Sequence, residues 1–159
     1  MFGLFKSPQF RDPQLGELVR SCGHWRGSVT LEGRVRVPLV LSGTRSAPDA
    51  QAVAVARDGT TRYRSWRPTI EKALFEHYGP YADALAVREF PPPSETFPSI
   101  PAPHQVWPYV SLAFVAVTPL EGVLTAELGY ITAWDEEHTL GVRFQSGKFM
   151  ELCGSVLAP

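Results

Sequence analysis

Five consecutive residues, Trp134 to His138, have the side chains best suited to chemistry. They read Trp-Asp-Glu-Glu-His, so three carboxylates lie beside one imidazole. Such a set can bind a hard cation or transfer protons, but the segment is too short to wrap around an ion alone. The alternative is a turn in which Asp135 bonds its own backbone and Glu136 and Glu137 are solvated. In that case His138 packs beside Trp134 across two strands.

A second cluster interleaves basic and aromatic side chains over residues 62–67, which read Arg-Tyr-Arg-Ser-Trp-Arg. This composition can bind single-stranded nucleic acid by stacking and phosphate contacts. It is also typical of an amphipathic helix whose arginines lie over aromatic rings. The net charge of −1 argues against nucleic acid as the partner. The candidate binding residues of the two clusters are Trp134, Asp135, Glu136, Glu137, His138, Arg62, Arg64, Trp66 and Arg67.

Motifs for cofactors, metals and catalysis are missing from the sequence. There is no glycine-rich phosphate loop, no G-x-S-x-G and no H-E-x-x-H. We therefore predict no cofactor, no metal and no catalytic residue, and we favour a protein that is not an enzyme.

Length and composition predict one domain over residues 1–159, with 44% hydrophobic and 19% charged residues. No apolar run approaches the roughly 20 residues of a membrane helix. The apolar part of the first eight residues is too short for a signal peptide. We expect a cytoplasmic protein with Cys22 and Cys153 as free thiols.

Charge is divided unevenly along the chain. Residues 20–67 carry a net charge of +6 and residues 68–159 carry −7. Either two halves of one domain neutralise each other where they pack, or the first part presents a basic face to an acidic partner.

Strands and two helices are predicted in the first half of the chain. Alternation over residues 15–41, with turns at Cys22-Gly23 and Glu32-Gly33, predicts three strands. Start signals at residues 46–49 predict a helix from Ala50 to Arg57, which Asp58-Gly59 ends. A second helix begins near Ser65 to Pro68 and ends at Gly79-Pro80.

The rest of the chain predicts a proline-rich connection over residues 91–108 and then four antiparallel strands. Phe97, Ile100 and Trp107 would hold the connection against the body. A three-residue loop at 135–137 would place Tyr130 opposite Val142. The predicted fold is α+β, with an antiparallel sheet built from a C-terminal four-strand meander and the N-terminal strands, and two helices packed on one face.

Two stretches resemble small bacterial domains of unknown function. Residues 12–18 (Asp-Pro-Gln-Leu-Gly-Glu-Leu) followed by 24–27 (His-Trp-Arg-Gly) resemble their opening strands. Residues 134–141 (Trp-Asp-Glu-Glu-His-Thr-Leu-Gly) resemble their C-terminal hairpin. Some such domains resemble immunity proteins of toxin systems. The resemblance implies action by binding, and it transfers no catalytic residues.

Three functions remain open from the sequence. The first is a cytoplasmic, non-catalytic binding module of immunity-like or regulatory type, which contacts a protein through the acidic 135–137 tip or the basic 57–67 segment. An apolar patch rimmed by charge would mark its contact surface. The second is a metal-dependent or hydrolytic enzyme that uses residues 134–138. The third is a homo-oligomeric structural protein, such as a homodimer, that pairs sheet edges.

Overall fold

The computed structural model describes residues 7–33, 35–87 and 97–159, which form one sheet and a long helix. The strands are β1 (Gln9–Asp12), β2 (Gly16–Ser21), β3 (His24–Leu31), β4 (Val35–Leu41), β5 (Val110–Leu120), β6 (Val123–Thr132), β7 (Asp135–Gln145) and β8 (Lys148–Val156). They lie in the sheet in chain order. All neighbours are antiparallel except β4 and β5, which are parallel. The helix α1 (Ala50–Ala86) lies in the connection between these two strands.

Three hairpins close through two-residue loops of an X-Gly pair. The loops are Cys22-Gly23, Glu121-Gly122 and Ser146-Gly147, and both residues of each have positive φ. That geometry matches the right-handed twist of the flanking strands, and glycine adopts it without steric cost. The turns predicted at Cys22-Gly23 and Ser146-Gly147 are therefore present, and in both the glycine has the positive φ that such a turn requires.

The predicted fold was wrong about the helices. Instead of two helices packed on the sheet, the described residues contain one α-helix of 37 residues that runs through Gly59, Pro68 and Gly79-Pro80. Inside a helix, a glycine costs about 1 kcal/mol and a proline about 3 kcal/mol relative to alanine. These local costs are what predicted two separate helices.

Burial on one face of α1 explains why the helix continues. Beyond Gly59, the large side chains that face the sheet are Tyr63, Trp66, Ile70, Leu74 and Tyr78, all buried. Trp66 stacks on Phe144 of β7 with ring centroids 4.1 Å apart. Burial of one such side chain stabilises the fold by about 1.5–3 kcal/mol. Packing against the sheet therefore outweighs the helix-breaking residues.

The amino end of α1 is anchored by two aspartates. Asp49 caps the helix by accepting a hydrogen bond from the Gln51 amide at 2.8 Å. Asp12, whose side chain is fully buried, forms an ion pair with Arg57 and accepts a 2.8 Å bond from the Leu15 amide. The hydrogen bond from Arg57 is the largest reason why the pKa of Asp12 falls to about 2. This contact joins the β1–β2 turn to α1.

The β6–β7 hairpin differs from the predicted register. Tyr130 lies opposite Leu140 rather than Val142, so the prediction was wrong by two residues. The turn forms earlier, because Asp135 pairs with Thr132 and its amide donates to the Thr132 hydroxyl at 3.2 Å. From Tyr130 and Leu140 away from the turn, this shift of two residues leaves each side chain on its predicted face of the sheet. Nearer the turn the register changes again, between Tyr130 and Thr132.

The proline-rich connection predicted at 91–108 lies partly outside the described residues, since 91–96 are not among them. From residue 97 onward it contains two 3₁₀ turns, Pro103–Gln105 and Trp107–Tyr109. Ile100 is buried, and Phe97 and Trp107 pack against the core, as predicted. None of the helices in the described part of the chain has the length and apolar composition of a membrane span.

The sheet face opposite α1 carries a smaller apolar cluster of Val40, Phe114, Ala116 and Val156. The Phe114 ring lies so close over Gly129 that a Cβ there would overlap it. The adjacent strands β6 to β8 carry an ion cluster, in which Arg143 donates to Glu127 at 2.6 Å and to Glu151 at 2.7 Å.

Candidate functional site

Two sets of hydrogen bonds join residues of the predicted hairpin cluster to each other and to the carboxyl-terminal part of α1. The Tyr81 hydroxyl donates to Asp135 Oδ2 at 2.8 Å. His138 Nδ1 lies 2.9 Å from Asp135 Oδ1. Trp134 Nε1 donates to His77 Nδ1 at 3.1 Å. We call these five residues the hairpin network.

Burial and hydrogen bonds shift the pKa of three groups in the hairpin network. Burial raises the pKa of Asp135, but hydrogen bonds from Tyr81 and His138 outweigh it, so the pKa lies below its ordinary value. Burial, together with the neighbouring carboxylate, raises the pKa of Tyr81 to about 12. Burial lowers the pKa of His77. Asp135 is therefore an anion that orients the ring of His138 and leaves Nε2 of that ring free of this bond.

The structure divides the five residues of the predicted site. Asp135 and Trp134 are buried, while Glu136, Glu137 and His138 are exposed. The acidic tip therefore presents two carboxylates rather than three. Among residues 7–33, 35–87 and 97–159, no three His, Cys, Asp or Glu side chains are grouped as metal ligands would be.

The basic cluster is also divided, because it lies on α1 and its side chains point in different directions. Trp66 is buried against the sheet. Arg62 pairs with Asp58 at 2.6 Å on the outer side. Arg64 is exposed, and Arg67 reaches across to Glu32 at 3.2 Å. Arg67 and Tyr81 are 14 residues apart on one helix, or about 21 Å at 1.5 Å per residue. The two predicted clusters therefore do not form one site.

A third feature is an open cavity of about 330 Å³ between α1 and the sheet, which we call the α1 cleft and which Arg67 helps to line. Its walls are largely apolar and are formed by Leu31, Trp107, Val110 and Leu112. Its polar side chains are Tyr63, Tyr130, Glu32, Arg67 and the exposed Ser111. A further space of about 390 Å³, lined by Glu32, Thr60, Arg64 and Arg67, adjoins it on the outside.

Two tyrosines supply the buried polar groups of the α1 cleft. The hydroxyls of Tyr63 and Tyr130 lie 3.0 Å apart, and the two residues are 7% and 1% exposed. Burial raises the pKa of Tyr63 and, well above its ordinary value, that of Tyr130. Both hydroxyls are therefore protonated donors at neutral pH.

Arg67 is held at the entrance of the α1 cleft by two contacts. Its guanidinium carbon lies 4.3 Å from the ring centroid of Trp107. One terminal nitrogen donates to both carboxylate oxygens of Glu32, at 3.2 and 3.4 Å. Trp107 is itself fixed, since its indole nitrogen donates to Glu71 at 2.5 Å. The entrance is thus a pre-formed arrangement of charge over an aromatic ring.

Of the predicted site residues only Arg67 lines the α1 cleft, Arg64 lines the adjoining space, and no other residue of the cleft was named as a site residue in the sequence analysis. Glu32 comes from the β3–β4 turn, Trp107 from a 3₁₀ turn and Tyr130 from β6. One local signal was present, because Tyr63 and Arg67 are at i and i+4 and must share one side of the helix. The other walls become neighbours only through the order of the sheet strands.

Comparison with known proteins identifies a family and no individual relative. Residues 14–156 match the model of a domain of unknown function, DUF6985. No curated protein and no solved structure matches the chain. The family match leaves only 13 residues before it and three after it. The chain therefore belongs to the DUF6985 family of domains of unknown function.

Proposed function

We propose that this domain is a non-catalytic protein-binding module and that the α1 cleft is its contact site. The observation that carries the proposal is the apolar cavity of about 330 Å³ with charged residues at its entrance. The volume lies within the range of small-molecule pockets, about 300–1,000 Å³, which are commonly apolar with a few placed polar groups. The cleft can take one apolar side chain of a partner as an anchor.

The charges at the entrance indicate the character of the partner. Arg64 and Arg67 lie there with one carboxylate, Glu32, so the entrance has a net charge of +1. A partner surface with an acidic group beside the anchor residue would complement it. The proposal also places the domain in the cytoplasm, where the thiols of Cys22 and Cys153, both free, stay reduced.

The test is affinity capture from cells that make the protein, with variants matched in pairs. Leu112→Trp fills the α1 cleft, and Ile131→Trp adds the same ring at a side chain that is 48% exposed. Arg67→Glu reverses a charge at the entrance, and Arg36→Glu makes the same change on an exposed strand position. We expect the wild type and the two control variants to retain one stoichiometric partner and the two cleft variants to lose it.

A further variant separates the α1 cleft from the acidic tip. Glu136→Lys/Glu137→Lys reverses both exposed carboxylates, and these lie near Tyr81 rather than near Arg67. The proposal expects this variant to keep the partner. Loss of the partner here, with retention by Leu112→Trp, would assign the contact to the hairpin. Capture of no partner would contradict the proposal. Light scattering that shows only a dimer of this chain would contradict it as well.

A further inference from the structure

We propose that the α1 cleft takes the C-terminal residue of the partner polypeptide, with its apolar side chain against the cleft walls and its α-carboxylate on Tyr63, Tyr130 and Arg67. This inference rests on the proposed function, because it names the part of the partner that enters the same site. Three properties of the cleft lead to it.

The first property is a spare hydroxyl donor. Each tyrosine has one O–H donor, and the hydroxyls of Tyr63 and Tyr130 bond each other at 3.0 Å. Only one of them can donate in that bond. Within the described residues neither hydroxyl has another partner, so the second O–H is left for an acceptor in the cleft. A buried donor without an acceptor is costly, and an oxygen of a ligand would satisfy it.

The second property is the position of Arg67 relative to that donor. Arg67 lies one turn after Tyr63 on α1, so their Cβ atoms are about 5–6 Å apart. Tyr63, Tyr130, Arg67 and Glu32 all line the same cavity, so the tyrosine pair and the ion pair lie in one neighbourhood. Glu32 binds one terminal nitrogen of Arg67. Among the described residues the other guanidinium nitrogens have no partner, and they can donate to a second anion.

The third property is the apolar lining next to these donors. An aspartate or glutamate side chain could reach the donors, but it would leave Leu112, Val110 and Trp107 uncovered. A C-terminal residue carries an apolar side chain and a carboxylate on the same Cα atom. It therefore covers the walls and satisfies the donors at once, as in other captures of a C-terminal carboxylate.

The test compares two small probes of the same shape, N-acetyl-L-phenylalanine and its primary amide, by calorimetric titration and by the NMR signal of the Trp107 indole N–H. A probe of this size is expected to bind with a Kd on the order of 1 mM. The amide lacks the charge, so we expect it to bind about 10- to 100-fold more weakly, as for a lost hydrogen bond to a charged group.

Variants show whether the donors are the ones named. Arg67→Gln and Tyr63→Phe/Tyr130→Phe should lower the affinity for the acid to that for the amide, while Arg36→Gln should leave both affinities unchanged. Circular dichroism verifies that each variant is folded. Peptides that end in phenylalanine, with a free or an amidated end, should repeat the difference between acid and amide.

The outcomes separate this inference from the proposed function. Equal binding of acid and amide in the cleft would overturn carboxylate recognition and leave the cleft as an apolar socket for a partner. Failure of both probes to bind would overturn the inference, and the proposed function would then be judged by the capture experiment alone. The inference would also be overturned if Arg67→Gln and the double phenylalanine variant still bound the acid more tightly than the amide.

Discussion

Removal of the hydroxyls of Tyr63 and Tyr130, singly and together, tests the buried polar floor of the α1 cleft. The two oxygens are 3.0 Å apart, and the residues are 7% and 1% exposed. Phenylalanine keeps each ring in place and removes only the polar atom. A double-mutant cycle with Tyr63→Phe, Tyr130→Phe and the double variant therefore isolates the interaction between the hydroxyls.

The expected magnitudes follow from what each variant leaves behind. A single variant loses one hydrogen bond and leaves the other hydroxyl without its partner, which costs about 1–3 kcal/mol. The double variant leaves neither hydroxyl, and replacement of both partners by apolar groups of the same shape can be nearly neutral. We therefore expect each single variant to lower the free energy of unfolding by about 1–3 kcal/mol and the double variant to lower it by no more than either single variant.

Urea unfolding followed by circular dichroism measures the four free energies, with equal m-values as the sign that the denatured state is unchanged. A coupling of about 1 kcal/mol or more, in the direction that makes the double variant more stable than additivity predicts, would support the shared bond. Additive losses would refute the reasoning, because they would show that the two hydroxyls act independently.

Three further predictions concern the fold that positions the cleft. The pKa of Asp12 is about 2 against an ordinary 3.8, so ionised Asp12 adds about 2 kcal/mol to the free energy of unfolding above pH 4, and this is lost as the pH falls towards 2. Thermal melts of Asp12→Asn at several pH values should lack this loss of stability in acid. A loss in acid equal to that of the wild type would contradict the role of the Arg57 ion pair. Gly129→Ala should destabilise the protein by about 1–3 kcal/mol because the added Cβ overlaps the Phe114 ring. A free energy of unfolding equal to that of the wild type would contradict this close contact. Gly59→Ala should raise the free energy of unfolding by about 0.5–1 kcal/mol, whereas a lower value would mean that the helix is interrupted there.

Strands and turns were the parts of the fold that local sequence could predict. Alternation along β6 and β7 defines their buried face, and X-Gly pairs such as Ser146-Gly147 define the loops. The register of the β6–β7 hairpin was predicted wrongly because the three acidic residues 135–137 suggested an exposed loop. Asp135 is instead buried and hydrogen-bonded to Tyr81 and His138. The local sequence could not indicate this, because Tyr81 lies on α1, far away in sequence.

The helix and the α1 cleft could not be predicted because both depend on contacts between distant segments. Gly59 and Pro68 are typical of helix ends when only the local sequence is considered. The helix continues through them because side chains such as Trp66 pack against Phe144 and its neighbours on the sheet. The interleaved arginines of 62–67 were treated as one cluster in the sequence analysis. Their roles differ, however, because α1 turns Trp66 inward and Arg67 towards Glu32.

The most direct test of the central claim, that the α1 cleft is the binding site, is the affinity of the captured partner for wild-type protein and for Leu112→Trp. The account predicts that filling the cleft lowers this affinity at least about tenfold, the effect of losing about 1.4 kcal/mol, while Ile131→Trp leaves it unchanged. Equal affinity for wild type and Leu112→Trp would contradict the claim.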